Sequence, residues 1–275
     1  MRTIPLTAVL LLGCASLASA DTLAVTSVAD NTLIEDPDGA WSLGAAYNFY
    51  VGRVGVNGGG TIRRGVIRFD VSAIPAGSTI QSVTLKLYCS KTGNTLSSTV
   101  SLKRLTNSFG EGASFAFGGA GAESEPGDAT WLHRSYPNVF WNTPGGDFVS
   151  TVSASRSVTT VGYYTWNSTA QFVADVQSWV NAPATNLGWL VQGNETTLQS
   201  VKRFDAHETQ GITRPILTVT YVPPVFGDVT GDQKVNAADL SILLGQWGGP
   251  GSADLSANGV VDADDLAMLL GAWTP

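Results

Sequence analysis

The sequence predicts a mainly β protein: a jelly-roll or β-sandwich domain with one short helix, followed by a small C-terminal α domain of paired EF-hand-like calcium loops. Three observations carry this prediction. Residues 23–222 are rich in Thr, Ser, Val and Gly, and their apolar residues alternate in short runs between turns. One stretch of this body has helical periodicity instead. Two acidic twelve-residue segments near the C-terminus repeat each other.

The first 20 residues are predicted to be a secretory signal peptide. Arg2 precedes an apolar run, and Ala18-Ser19-Ala20 provides a small-residue cleavage site, so the protein is expected to be secreted. A second interpretation stays open, because residues 11–14 resemble a lipobox that would leave the chain anchored by a lipid on Cys14. No other apolar run approaches the roughly 18 residues of a membrane-spanning helix.

The chain is acidic, with a formal net charge of -7 at pH 7. Most of this charge lies beyond Phe226, where seven Asp accompany one Lys. The body has no basic excess, so the composition does not favour a nucleic-acid partner. Cys89 lies in an apolar alternation with Leu85 and Leu87, which predicts a buried free thiol.

Ten segments of the body have the alternation and the turn boundaries of β-strands. They are residues 30–35, 47–54, 61–71, 79–90, 100–105, 149–158, 163–166, 187–193, 201–206 and 215–222. The third segment is the clearest strand, and Ile67, Phe69 and Val71 should lie on one of its faces. Arg64 and Arg68 should lie on the other.

Two further segments interrupt the strands. Residues 107–148 form a long Gly-rich loop, and loops of this length are usually functional or disordered; its aromatic residues argue against disorder. The later segment is the one predicted helix of the body, with Ser168 as its N-cap and Gln171 three residues on. Its apolar stripe is Phe172, Val173, Val176, Trp179 and Val180, which should plug one end of the sandwich.

The acidic repeat has the spacing of a twelve-residue calcium loop, which supplies oxygen ligands from positions 1, 3, 5, 7, 9 and 12. In the first loop these are Asp228, Thr230, Asp232, the carbonyl of Lys234, Asn236 and Asp239. In the second they are Asp254, Ser256, Asn258, the carbonyl of Val260, Asp262 and Asp265. The sequence therefore predicts two Ca2+ sites. Gly259 fills the tight-turn position 6 of the second loop, whereas Gln233 in the first predicts strain or weaker binding.

Residues 228–275, which follow a short linker at 223–227, resemble a type I dockerin module. The resemblance rests on Asp at position 12 of each loop and on the matched apolar run after it. It implies a cohesin-like protein partner. In dockerins, loop positions 10 and 11 tend to hold polar residues that contact the partner and determine its identity. Here those positions hold Ala237, Ala238, Ala263 and Asp264, so the partner's identity stays open.

Four segments of residues 21–222 are together similar to the DNRLRE family of secreted β-sandwich modules. They read RRGVIRFDVSAIPAGSTIQSVTLKLY, ATWLHRSYPNVFWNTPGGDF, VQSWVNAPATNLGWLVQGNE and KRFDAHETQGITRPILTVTY. The resemblance implies a carbohydrate-binding module, and some members bind acidic polysaccharides such as alginate. The family's usual Trp-x-Glu-Gly is replaced here by residues 109–112, Phe-Gly-Glu-Gly, which is a partial departure.

A polysaccharide site is expected among the cationic and aromatic residues of the body. Arg binds a uronate carboxylate with two hydrogen bonds, and aromatic side chains offer flat faces to sugar rings. The candidate ligand-binding residues are Arg64, Arg68, Trp131, His133, Arg134, Tyr136, Trp141, Lys202 and Arg203. Structural roles stay open as well, because strand arginines often bridge acids and loop tryptophans often hold a loop against its domain.

The sequence favours a non-catalytic polysaccharide-binding protein with a calcium-dependent docking tail. One alternative is a β-jelly-roll polysaccharide lyase, in which His133 and Tyr136 supply the acid and the base in either order and Arg64 and Arg68 neutralise the uronate carboxylate. A second alternative is a structural or adhesive cell-surface protein.

The β domain also contains acids that are possible ligands for a metal of its own. They are Asp30, Glu35 and Glu111, and no spacing rule connects them.

Overall fold

The computed structural model describes residues 19–274. The predicted signal peptide falls almost entirely outside the described residues, as does Cys14. The chain divides into two compact units, one formed by Asp21–Tyr221 and one that contains the chain from Val222 onward. The described residues are mainly β, with a barrel- or sandwich-like sheet and three α-helices. None of the helices among them is long and apolar enough to cross a membrane.

Fourteen strands and three α-helices lie within the described residues. The strands are β1 (Asp21–Ile34), β2 (Trp41–Ser42), β3 (Asn48–Arg53), β4 (Ile62–Phe69), β5 (Thr79–Thr92), β6 (Ser98–Arg104), β7 (Ala122–Glu123), β8 (His133–Ser135), β9 (Val139–Phe140), β10 (Ala154–Val158), β11 (Gly162–Trp166), β12 (Trp189–Gln192), β13 (Lys202–Asp205) and β14 (Ile216–Val222). The α-helices are α1 (Ala170–Asn181), α2 (Ala237–Gly245) and α3 (Ala263–Gly271).

Strand β1 shows how the main sheet closes on itself. Its first half pairs antiparallel with β14, from Asp21 opposite Tyr221 to Thr26 opposite Ile216. After an irregularity its second half pairs antiparallel with β4. The strand order is β1-β14-β5-β13-β3-β4-β12-β6-β10, with β11 added to β5. The sequence prediction began this strand at Asp30 and missed its first half, whose partner lies at the far end of the domain.

The interior of the β domain is filled by side chains from the sheet and from α1. Its largest members are Phe49, Phe69, Trp166, Phe172, Trp179, Trp189 and Phe204, all buried. Ile67 and Val71 face this interior together with Phe69, which confirms the predicted inner face of that segment. Cys89 also lies here as a buried free thiol, as predicted.

The opposite face of β4 is covered by the long segment 107–148. Val66 and Leu190 from the sheet meet Phe109 and Trp141 from this segment in a second apolar cluster. The aromatic residues of the segment therefore hold it against the sheet, which leaves little free strand surface on that face.

Helix α1 lies where the sequence predicts it, but its cap differs by one residue. Thr169, not Ser168, is the N-cap, and its hydroxyl accepts a hydrogen bond from Phe172 N at 3.0 Å. Ser168 Oγ instead accepts one from Val83 N at 3.1 Å, because β5 offers a donor at that point. The predicted stripe faces the interior, with Val173 at its half-buried edge.

The C-terminal unit consists of two loop-and-helix repeats around a small apolar cluster. The buried members of this cluster are Val235, Leu243, Ala253, Val261 and Leu269. Asn236 and Asp262 cap α2 and α3, and Asp239 and Asp265 complete a capping box in each helix. Each acidic loop therefore ends inside the first turn of the helix that follows it.

Candidate functional site

The first acidic loop gathers three carboxylates at one place. Oxygen atoms of Asp228, Asp232 and Asp239 lie within 4.8 Å of one another. Asp239 is fully buried, and its Oδ1 accepts a hydrogen bond from Thr230 N at 2.9 Å. Asp228 Oδ2 accepts one from Gln233 N at 2.7 Å. These bonds curve the backbone tightly around the carboxylates.

In the second loop, backbone N–H groups bind the carboxylates in a similar pattern. Asp254 Oδ2 accepts a hydrogen bond from Gly259 N at 2.8 Å. Asp265 is fully buried and accepts from Asp262 N at 2.7 Å and from Ser256 N at 2.8 Å. The hydrogen bond from the Asp262 backbone is the largest of the effects that lower the pKa of Asp265. A carboxyl with a lowered pKa stays ionised at neutral pH, the state in which it ligates a cation.

The residues present fit calcium. The side chains at the ligand positions offer oxygen atoms, which a hard cation prefers, and a bound ion would supply the positive charge that lets several carboxylates share one loop. Position 6 is left-handed in both loops, as the sharp turn of a calcium loop requires, with φ of 68° at Gln233 and 94° at Gly259. Position 4 is left-handed too, with φ of 80° at Gly231 and 57° at Ala257. Each loop therefore holds one non-glycine residue in a conformation that glycine prefers.

Replacing Gln233 with Gly should stabilise the C-terminal unit by about 1 kcal/mol and tighten calcium binding several-fold. The substitution relieves the backbone strain of a non-glycine residue at positive φ. It also removes the buried Oε1 of Gln233, which makes no hydrogen bond. Calcium titration calorimetry and thermal unfolding measure the change. Gly231→Ala, which adds a side chain at φ of 80°, is the matched control and should act in the opposite direction. Weaker binding by the Gln233→Gly variant would contradict this explanation.

In the β domain, the predicted ligand residue Arg64 is engaged within the protein. Its Nε and Nη2 bind Glu195 Oε1 and Oε2 at 2.7 and 3.1 Å, and its Nη1 donates to Gly145 O at 2.8 Å. Its guanidinium carbon lies 4.9 Å from the ring centroid of Trp131. Arg64 and Trp131 are thus brought together, but the carboxylate that the arginine binds belongs to the chain itself.

The aromatic candidates of the long segment contact one another instead of forming an open platform. Trp141 is buried, and its Nε1 donates to Thr130 O at 3.0 Å. His133 is also buried, with Nδ1 at 2.9 Å from Thr130 Oγ1 and its ring centroid 5.1 Å from that of Tyr136. Burial lowers the pKa of His133. Trp141 and His133 are both almost completely buried, so these placements do not favour the expectation that they contact a ligand.

The placement of Lys202 does not favour ligand contact either. It is fully buried on β13, and its Nζ donates to the carbonyl oxygens of Asn94, Leu96 and Thr159 at 3.1, 3.2 and 3.3 Å. Three acceptors use all three donors of an ammonium group. Lys202 therefore ties two loops to the sheet and has no hydrogen-bond donor left for a sugar.

The three remaining arginine candidates have different contacts. Arg134 donates to Ser108 Oγ at 3.0 Å within the long segment. Arg68 lies 6.0 Å from the ring centroid of Phe109. Arg203, on β13, lines a cleft in the β domain.

This cleft has a volume of about 600 Å³. Its apolar surface comes from Trp41 on β2, Tyr50 on β3 and Phe117 in the long segment. Trp41 is 38% exposed and Phe117 is 82% exposed, so two aromatic faces are open to a ligand. Such a combination of a concave shape and accessible rings is typical of ligand sites.

Charged groups of both signs line the same cleft. They are Arg63, Lys91, Arg203, Glu35 and Asp36. The two carboxylates are engaged by backbone donors, Glu35 Oε2 by Ile62 N at 2.7 Å and Asp36 Oδ2 by Ala40 N at 2.9 Å. Arg63 is buried, and although its burial lowers its pKa to about 10, it stays charged at neutral pH. The cleft therefore has three cations and two carboxylates, and Lys91 is the exposed member of this set.

Sequence reasoning missed most of this cleft. Arg63 and Arg64 are adjacent and point to opposite faces of β4, and the sequence prediction selected Arg64. One part of the long segment covers the face of Arg64, whereas Arg63 lies at the cleft, where it donates to Gly119 O of the same segment at 3.0 Å. Phe117 had a weak signal in the sequence, as an aromatic residue in a Gly-rich stretch.

The chain matches no protein-family model, and no significantly similar curated protein is found. The resemblances described above therefore rest on the quoted residues.

Proposed function

We propose that the chain is a secreted, non-catalytic polysaccharide-binding protein, with a DNRLRE-like jelly-roll module and a dockerin-like tail of two EF-hand-like Ca2+ loops. The observation that carries the proposal is the cleft, where exposed aromatic rings and cations occur together. An acidic polysaccharide such as alginate is the favoured ligand.

The cleft combines the two kinds of contact that an acidic sugar chain needs. Trp41 and Phe117 offer apolar faces for sugar rings, while Lys91 and Arg203 supply positive charge for the carboxylates. A polymer must enter and leave along an open surface. The exposure of Phe117 and Lys91 is consistent with such access.

The tail supports a docking role. Helices α2 and α3 and the residues just after them expose apolar side chains at matched repeat positions, Leu244 with Leu270 and Trp247 with Trp273. Exposed apolar side chains of this kind on so small a unit indicate an interaction surface. A cohesin-like protein is the proposed partner, and calcium binding would order the loops that position both helices.

The lyase alternative receives no support from these placements. Its candidate acid or base, His133, is buried and hydrogen-bonded to Thr130, and Arg64 is engaged by Glu195. A catalytic base and a group that neutralises the carboxylate must both reach one sugar unit.

The double variant Trp41→Ala/Lys91→Ala should bind alginate at least about tenfold more weakly than the wild type, because it loses one stacking face and one accessible cation. Retardation in gels cast with increasing amounts of alginate measures the dissociation constant. Ultraviolet absorbance of the same mixtures reports any unsaturated product of a lyase.

The matched control is Tyr163→Ala/Lys86→Ala. This double variant removes an exposed aromatic residue and a lysine that lies 5.0 Å from its ring centroid, both outside the cleft. Equal losses in the two variants would count against the cleft. A rise in absorbance would favour the lyase, and no retardation on any polysaccharide would favour the structural or adhesive alternative.

A further inference from the structure

A second group of ionisable side chains forms in the β domain from three separate segments. Asp30 lies on β1, Glu111 in the long segment, and His207 and Glu208 just after β13. Ligand atoms of Asp30, His207 and Glu208 lie within 4.8 Å of one another. His207 Nδ1 lies 2.9 Å from Glu111 Oε1 and 3.1 Å from Glu208 Oε1. None of the four residues lines the cleft.

Backbone contacts hold this group in place. Asp30 is 1% exposed, its Oδ2 accepts a hydrogen bond from His207 N at 2.8 Å, and its own N–H donates to Glu111 Oε1 at 3.1 Å. By contrast, His207 Nδ1 and Glu208 Oε2 are buried and make no hydrogen bond. A buried polar atom without a partner costs about 1–3 kcal/mol, so the group is incomplete as a purely structural network.

The spacing of these atoms matches the ligand shell of a metal ion. Atoms that share one zinc-sized ion at about 2.1 Å lie roughly 3.0–3.4 Å from each other. The two contacts of His207 Nδ1 fall close to this range. One imidazole nitrogen with carboxylate oxygens is a donor set for Zn2+ and related ions, whereas Ca2+ takes oxygen ligands.

The negative charge of the carboxylates in this group also favours binding of a cation. Three carboxylates lie beside one imidazole. Outside the group, the positive charge of Arg68 acts on Glu111 and that of Arg214 acts on Glu208. Neither arginine forms an ion pair with the group among the described residues.

We propose that Asp30, His207 and Glu208 bind one divalent transition-metal ion of the zinc type, with Glu111 beside His207. The ion would join β1 to the turn after β13, so its role is to stabilise the β domain. The site is distinct from the two calcium loops and rests on no part of the polysaccharide proposal.

Titration of Zn2+ into the full-length secreted chain, with Ca2+ in excess to saturate the tail, tests this assignment. Calorimetry should show one zinc ion bound to the β domain, and zinc should raise the unfolding temperature of that domain. Co2+ in place of Zn2+ should give a visible absorption band. Glu208→Gln and His207→Gln should each weaken binding at least about tenfold. Glu123→Gln, an exposed carboxylate on β7, should leave it unchanged.

Glu208→Gln keeps the size of the side chain and removes a charge, so its unfolding temperature without zinc should equal or exceed that of the wild type. This measurement separates loss of the ion from loss of the fold. The proposal is overturned if the wild type binds no Zn2+ beyond what the tail binds, or if binding survives both substitutions. The contacts of His207 with Glu111 and Glu208 would then be structural only.

Discussion

Removal of calcium with a chelator should unfold the C-terminal unit while the β domain stays folded. The apolar cluster of the unit has five buried side chains, which is a small core, and Asp239 and Asp265 are fully buried beside it. Without a cation, each of these carboxylates lies close to other carboxylates of its loop, and the repulsion between their negative charges opposes folding. A ligand at a thousand times its dissociation constant contributes about 4 kcal/mol, comparable with the whole stability of so small a unit. Calorimetry of the full chain should show a calcium-dependent transition and a calcium-independent one.

Two substitutions sharpen this prediction. Asp239→Asn and Asp265→Asn together should abolish the calcium-dependent transition, because each removes a charge at ligand position 12. Asp264→Asn is the matched control, since Asp264 precedes Asp265, is exposed and lies at no ligand position. A calorimetric trace that a chelator leaves unchanged would remove the basis of the docking proposal.

Replacing Asp175 with Ala should destabilise the β domain by about 3–5 kcal/mol. Asp175 is a buried residue of α1, and its Oδ2 accepts hydrogen bonds from Ser153 Oγ at 2.5 Å and Trp189 Nε1 at 2.9 Å. Its Oδ1 accepts another from Gln171 Nε2 at 3.0 Å. The substitution leaves these donors unpaired in the interior and opens a cavity. Urea denaturation in the presence of calcium measures the free energy of unfolding.

Two further variants test the cause. Asp175→Asn keeps the shape and one acceptor oxygen, so its loss should be smaller than that of the Ala variant. Asp38→Ala, at an exposed acid of the same domain, should change the free energy of unfolding by no more than about 0.5 kcal/mol. A loss below about 1 kcal/mol for Asp175→Ala would mean that the hydrogen bonds add little to stability.

Local patterns predicted much of the fold. Alternation placed Ile67, Phe69 and Val71 on the inner face of β4, and helical periodicity located α1. The N-cap was wrong by one residue because Ser168 and Thr169 are both good caps in isolation. Val83 N on β5 decided between them, and that donor is 85 residues away in sequence.

The candidate sites also differ in whether their residues are close together or far apart in the sequence. Each acidic loop is contiguous, so the spacing of its residues was enough to identify it. The cleft and the cluster around His207 join distant segments. Asp30 is 81 residues from Glu111 and 177 from His207, and no spacing rule spans such separations.

The sequence by itself determined the mainly β class, the inner face of β4 and the two acidic loops, because each depends on residues close together along the chain. Only the tertiary structure decided that segment 107–148 covers one face of β4, that Lys202 is buried, and that Arg63 rather than Arg64 lines the cleft. The physical reason is that alternation assigns a side chain to a face of the strand, whereas the segment that packs on that face decides whether the side chain meets solvent or protein.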